Sequence, residues 1–237
     1  MMKENKDAMG HAIADFHKTG KAARLRVFSP MFDEDEIPVK TLFRSMDDMP
    51  SIEQEALRLA SGNILDVGAG AGCHSLALQA MGKQVTAIDI SPLAVTAMRE
   101  RGLRDVRQQD FFTFQGRYDT ILMLMNGIGI VGTLDRMPAF FIQLDALLAH
   151  GGQLLCDSSD ICYIFEDEDG IIDLTGIDGY YGELTYQMQY RNVKGDPFPW
   201  LFIDPETLAE QATAHGFNCE VVARGGHYDY LARLTRR

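Results

Sequence analysis

The sequence predicts an α/β fold: a mostly parallel seven-stranded sheet between two layers of helices, closed by an antiparallel C-terminal hairpin. An N-terminal cap and an inserted antiparallel segment are added to it. Three observations carry this. Short, near-continuous apolar runs alternate with amphipathic stretches between residues 51 and 160, the pattern of parallel strands buried on both faces. A run of small residues, Gly68-Ala69-Gly70-Ala71-Gly72, joins the first apolar run to the first helix after it. The last third changes to strict alternation, with Leu184, Tyr186, Met188 and Tyr190 on one face of an antiparallel strand.

The elements follow in order. Residues 1–50 read as irregular apart from a helix near 7–18, with Pro30, Pro38 and Pro50 in a loop. Ser51 then stands as N-cap with Gln54 three residues on, as in a capping box, and Gly62 ends that helix. Residues 64–67 form a buried strand, 73–81 a helix stopped by Gly82, and 84–90 a strand. Ser91-Pro92 is an N-cap followed by Pro at the first helical position, opening a helix that runs to Gly102. Strands at 106–109 and 118–125 precede a helix at 134–149, where Phe140, Phe141, Leu144, Leu147 and Leu148 recur at helical spacing. Gly151-Gly152 breaks it before a strand at 153–157. Residues 182–192 pair with 198–203 across Gly195-Asp196-Pro197. Asp204-Pro205 caps a helix ending near Gly216, and 219–223 and 228–234 make a hairpin around Gly225-Gly226. One domain, 1–237, is expected: a cap at 1–50, a ligand-binding half at 51–160, and an insertion with the closing hairpin at 161–237.

Composition narrows the function classes. A formal net charge of −12 disfavours a nucleic-acid footprint, which needs basic surface. No apolar run is long enough to span a bilayer, and the polar start MMKENKDAMGHAIADFHK has no signal-peptide core. Cys73, Cys156, Cys162 and Cys219 have neither CxxC nor metal-ligand spacing, so reduced thiols, a cytoplasmic location and no metal are expected.

A strand, a glycine turn and a helix in that order build an anion or nucleotide site, because the helix N-terminus offers free N–H groups and partial positive charge. No Gly-Lys-Ser/Thr follows, which excludes a P-loop. The dinucleotide fingerprint G-x-G-x-x-G fails at its last position, where Cys73 stands, and the third glycine is Gly72. With Asp66 two residues ahead, the stretch DVGAGAG resembles the first motif of the class I S-adenosylmethionine-dependent methyltransferases, which share a Rossmann-like three-layer sandwich. The resemblance covers about residues 51–160.

It implies S-adenosylmethionine as cofactor and S-adenosylhomocysteine as product, with Asp66, Gly68, Ala69, Gly70 and Gly72 around the amino-acid end. Asp89 ends its strand about 20 residues after Gly68, where a carboxylate accepts from the ribose hydroxyls, with Ile90 beside it. Asp110 and Phe111 match the position that meets the adenine amino group and flanks its ring, and Met125 and Asn126 follow the fourth strand.

Methyl transfer from a sulfonium needs alignment and exclusion of water, with a base for some acceptors, so its catalytic signature is faint. Three candidates stand out: Asn126, Asp157 at the end of the fifth strand, and His74 at the start of the glycine-loop helix. Each has a plainer reading, as a turn residue, a strand-end acid and a helix residue. Asn126-Gly127-Ile128-Gly129 departs from the Asn/Asp-Pro-Pro-aromatic motif of family members that methylate amide or ring nitrogens. His227, Tyr228 and Asp229 read as structural. The cap and residues 158–181 are expected to build the substrate pocket. Glu166, Asp167, Glu168, Asp169, Asp173 and Asp178 there form either an acidic lid for a cationic substrate or a solvated face. The expected function is methyl transfer to a small molecule. The alternatives are a protein or RNA methyltransferase, a non-catalytic cofactor-binding protein, and a nicotinamide oxidoreductase.

Overall fold

The computed structural model describes residues 2–167, 169–177 and 179–237. It opens with helix α1 (Ala8–Thr19), capped by the Asp7 side chain and ended by Gly20 in the left-handed conformation. A hairpin of β1 (Leu25–Ser29) and β2 (Phe32–Ile37) follows, where the sequence reads as loop. β2 is acidic on both faces, which hides the alternation that marks a strand. Its acids are instead paired across the hairpin, Arg26 with Glu34 and Arg24 with Glu36.

Helix α2 (Ser51–Leu59) begins one residue earlier than expected: Pro50 holds the N-cap position and Ser51 is the first helical residue. The Gln54 amide donates to Met49 O at 2.9 Å instead of closing a capping box. From there strand and helix alternate: β3 (Asn63–Val67), α3 (Cys73–Ala80), β4 (Gln84–Asp89), α4 (Pro92–Glu100), β5 (Asp105–Gln108), β6 (Tyr118–Met123), α5 (Met137–Leu147) and β7 (Leu148–Ser159). Ser91 caps α4 as expected, accepting from Ala94 N at 2.9 Å. The chain ends with β8 (Glu183–Tyr190), β9 (Val193–Lys194), β10 (Phe198–Leu201), α6 (Pro205–Ala214), β11 (Phe217–Arg224) and β12 (Asp229–Arg236).

Seven strands form the main sheet in the order β11-β12-β7-β6-β3-β4-β5. All are parallel except β12, which runs antiparallel to both neighbours. This is the expected mostly parallel sheet with an antiparallel closing hairpin. Successive residues send side chains to opposite faces, and the core divides accordingly. Leu65, Ile121 and Leu154 pack with Phe140, Phe141 and Leu208 of α5 and α6. Ile64, Leu122 and Leu155 pack with Leu57, Leu78 and Met98 of α2, α3 and α4. Each such aliphatic side chain contributes about 1.5–3 kcal/mol on full burial.

Chain order reverses between β3 and β6, so the carboxyl ends of β3, β4 and β6 border the crevice where ligands collect in sheets of this kind. A second sheet, β10-β8-β1-β2 with β9 on β8, is wholly antiparallel. It joins the N-terminal hairpin to the insertion, Leu25 facing Tyr190 and Val27 facing Met188. Tyr190 is fully buried; its Oη donates to Asp15 at 2.8 Å and accepts from Ala23 N at 3.1 Å. The cap and the insertion are therefore one structure.

Candidate active site

The glycine run leaves β3 with Gly68, Gly70 and Gly72 all at positive φ (69°, 57° and 81°), a region that favours glycine. Their reasons differ. A Cβ on Gly72 would stand 2.9 Å from Met98 Cγ, so this glycine admits α4. Among the described residues, a Cβ on Gly68 would meet nothing within 4 Å, and one on Gly70 only Gly68 O at 4.0 Å. These two open a cradle onto the ligand edge. The loop is fixed from behind: Gly68 N and Ala69 N donate to Ile88 O at 2.9 and 3.1 Å, and Arg101 donates to Ala71 O.

Asp89, half-buried at the end of β4, accepts from Gly70 N at 2.9 Å and from Ser91 N at 2.8 Å. Burial pushes its carboxyl up to about 6, the Ser91 and Gly70 donors pull it down, and the charges of Asp7 and Asp66 add to the rise. Ile90 beside it is exposed at 37%. Asp110 accepts from Phe112 N at 2.9 Å. The Phe111 ring is 1% exposed and packs on Phe140 at 5.7 Å between centroids. The carbonyl of the same residue is engaged too, accepting from Gln143 Nε2 at 2.6 Å.

Asp66 is buried and accepts from Ser75 Oγ at 2.6 Å, which fastens α3 to β3. His74 is buried, with Nε2 2.7 Å from Glu53 Oε2. Burial disfavours its charge, but contacts with Cys73 and Glu53 and the charge of Asp66 outweigh this and raise its pKa well above the ordinary value. Glu53 also pairs with Arg44, whose side chain is only 9% exposed.

At the exit of β6, Met125 and Asn126 both adopt left-handed backbone (φ 63° and 57°). Strain of this kind, about 1–3 kcal/mol per residue, clusters at functional sites. Asp157 supports the turn, accepting from Met125 N at 3.1 Å and Gly127 N at 3.3 Å. Burial raises its carboxyl to about 7, the charge of Glu53 adds to the rise, and the turn's N–H donors oppose it. Asn126 Oδ1 accepts from Ser159 N at 3.2 Å, whereas its buried Nδ2 has no partner among the described residues.

The cap closes over this edge. Ile13 and Leu42 pack on Ala71 of the glycine loop and on Ala94 and Ala97 of α4, with Met125 against the same cluster. Asp7 is buried and accepts from Gly10 N at 2.8 Å and Ser91 Oγ at 2.6 Å, so one carboxylate links the N-termini of α1 and α4. A surface hollow lined by Ser61, Gly62, Asp119, Glu220 and Arg233 lies at the opposite, amino ends of β3 and β6.

Residues 42–222 match the family model described as a methyltransferase domain. The chain belongs to that family. This methyltransferase is 56% identical to an S-adenosylmethionine-dependent methyltransferase from Bacteroides fragilis solved with S-adenosyl-L-homocysteine, with a TM-score of 0.94 over 100% of this chain and 97% of that one. The CcbJ methyltransferase from Streptomyces caelestis shares the fold at 14% identity, with a TM-score of 0.63 over 97% and 98% of the two chains. Among curated proteins, a ubiquinone biosynthesis O-methyltransferase of Xanthomonas oryzae pv. oryzae is 44% identical over 55 residues, 23% of each chain.

Three residues that the methyltransferase brings to this edge escaped sequence reasoning: Asp7, Arg44 and Glu53. A lone Arg in an irregular stretch and an acid on an amphipathic helix carry no signal of their own. The acidic insertion resolves into turns: Asp167 Oδ1 accepts from Asp169 N and Ile171 N, and Asp173 Oδ1 from Thr175 N. Glu168 and Asp178 lie outside the described residues. Among the described residues no helix is long and apolar enough to cross a membrane.

Proposed function

We propose that this methyltransferase binds S-adenosylmethionine on the glycine loop and transfers its methyl group to a small molecule, releasing S-adenosylhomocysteine. The observation that carries the reading is the double cradle of Gly68 and Gly70, open where a Cβ would stand, beside an anchored Asp89. The residues present fit such a group. Asp89 keeps lone pairs for two ribose hydroxyls, and Ile90 offers an exposed apolar face to the adenine. Asp110 stands at the ring's edge, with Phe111 packed behind it. Met125 and Asn126 border the amino-acid end, with Gly68, Ala69, Gly70 and Gly72. Asp66 acts indirectly, holding α3 through Ser75.

Arg44 Nε supports the same reading. It is a buried donor with no partner among the described residues, while Nη1 is held by Thr41 O at 2.7 Å and Nη2 by Glu53. Left empty, such a group costs about 1–3 kcal/mol; a cofactor carboxylate satisfies it.

When bound, the cofactor supplies an already activated methyl group. The chain's own residues then have to align the acceptor and keep water out, and the cap does so by closing over the loop. Asp157 and His74 are 5% and 4% exposed, so neither is open to take a proton from an acceptor. The small-molecule reading rests on the enclosure by cap and insertion and on the local match to enzymes named for O-methyl transfer in ubiquinone biosynthesis. We further propose one domain, 1–237, with the cap at 1–50, the cofactor half at 51–160 and the substrate side at 161–237, working in the cytoplasm, where its four free cysteines stay reduced.

Calorimetry with S-adenosylhomocysteine and with NAD tests the reading. Binding of the first with no heat from the second is expected; binding of NAD alone overturns it.

A further inference from the structure

We propose that Asp157 is a positioning residue whose carboxylate clamps the turn after β6, so that Asn126 presents its free amide N–H to the carboxylate of the cofactor's amino-acid end. The inference rests on the cofactor reading above.

Four observations meet here. The two oxygens of Asp157 accept from the two N–H groups that flank Asn126, at 3.1 and 3.3 Å. Between those anchors, Met125 and Asn126 hold a left-handed backbone that side chains rarely adopt. The Asn126 amide is oriented by Ser159 N, which needs an acceptor and so fixes Oδ1 on that side. This leaves Nδ2 as a buried donor without a partner among the described residues. Finally, Met125 packs in one cluster with Ala71, so the turn lies against the glycine loop rather than out in the insertion.

A base would need an oxygen open to the acceptor, and Asp157 is 5% exposed with both oxygens bonded to backbone. Its charge instead polarises two peptide N–H groups and holds a strained turn. A buried NH₂ donor next to a cofactor loop needs an acceptor oxygen, and the amino-acid carboxylate is the cofactor's strongest.

Calorimetry on the full chain at pH 7.5 tests this with two probes. S-adenosylhomocysteine carries the amino-acid end, and 5′-methylthioadenosine keeps the adenosine and thioether without it. Asn126→Ala and Asp157→Asn are each expected to weaken S-adenosylhomocysteine about tenfold, or about 1.4 kcal/mol, and methylthioadenosine less than twofold. The double variant is expected to match Asp157→Asn alone, because the clamp acts through Asn126. Retained S-adenosylhomocysteine affinity in Asp157→Asn, an equal loss for both probes, or losses that multiply in the double variant would overturn the inference. Should Asp157→Asn fail to fold, Asn126→Ala leaves the clamp intact and decides by the same contrast. If the wild type binds neither probe, the cofactor reading itself fails.

Discussion

Asp157 meets two opposed demands. The turn uses its negative charge, while burial beside Glu53 penalises that charge and raises its pKa to about 7. An unfolded aspartate titrates near 4. A carboxyl whose folded pKa is raised stabilises the fold below its unfolded pKa, and that contribution is lost as pH rises through the folded value. The stability of the wild type relative to Asp157→Asn should therefore fall between about pH 4 and pH 7 and level off above. Asp89 titrates in both proteins and cancels. Denaturant melts across that range check this; a difference independent of pH would refute it. The glycines divide in the same way. Gly70→Ala should cost only about 1 kcal/mol for left-handed backbone yet lower S-adenosylhomocysteine affinity sharply, since its Cβ enters the cradle. Gly72→Ala should lose stability first, because its Cβ meets Met98. Asp66, the glycines and Asp89 were legible in the sequence because a loop's conformational needs are written locally. The roles of Asp157 and His74 were not, because each is set by a partner on another element, such as Glu53 of α2 for His74.

Among the elements, α1 shows how a cap is fastened. Asp7 caps its own helix and takes the Ser91 hydroxyl, while Ser91 caps α4. Gly10 makes room for this, since a Cβ there would lie 2.1 Å from Asp7 Oδ2. Ser91→Ala removes a helix cap worth about 1 kcal/mol and leaves a buried carboxylate oxygen unpaired, another 1–3 kcal/mol or so. Stopped-flow displacement should show faster release of S-adenosylhomocysteine as α1 loosens, and an unchanged rate would mean that α1 does not gate the site. Ser91 was readable as an N-cap, and the alternation of β3 to β7 with their helices was readable from burial on both faces. The hairpin of β1 and β2 was not. Its acids read as a solvated loop until Arg24 and Arg26 are seen to pair with them.

Across the whole molecule, the cap and the insertion lie far apart in sequence but share one sheet through β1 and β8, where Leu25 faces Tyr190. Tyr190 sits where α1, β1 and β8 meet, so Tyr190→Ala should destabilise by about 3–5 kcal/mol. Limited proteolysis should then cut both the N-terminal segment and the insertion. Cleavage confined to one of them would show that they are independent. No periodicity in one segment announces its pairing with another so distant, which is why the sequence showed two pieces over the site where the fold has one. Hydrogen exchange of the glycine-loop amides, measured with and without S-adenosylhomocysteine, tests the cofactor site most directly. Gly68 to Gly72 and the facing residues of α1 should become protected together on adding the ligand. Protection elsewhere with the loop unchanged, or no change anywhere, would contradict a methyl-donor site at this loop.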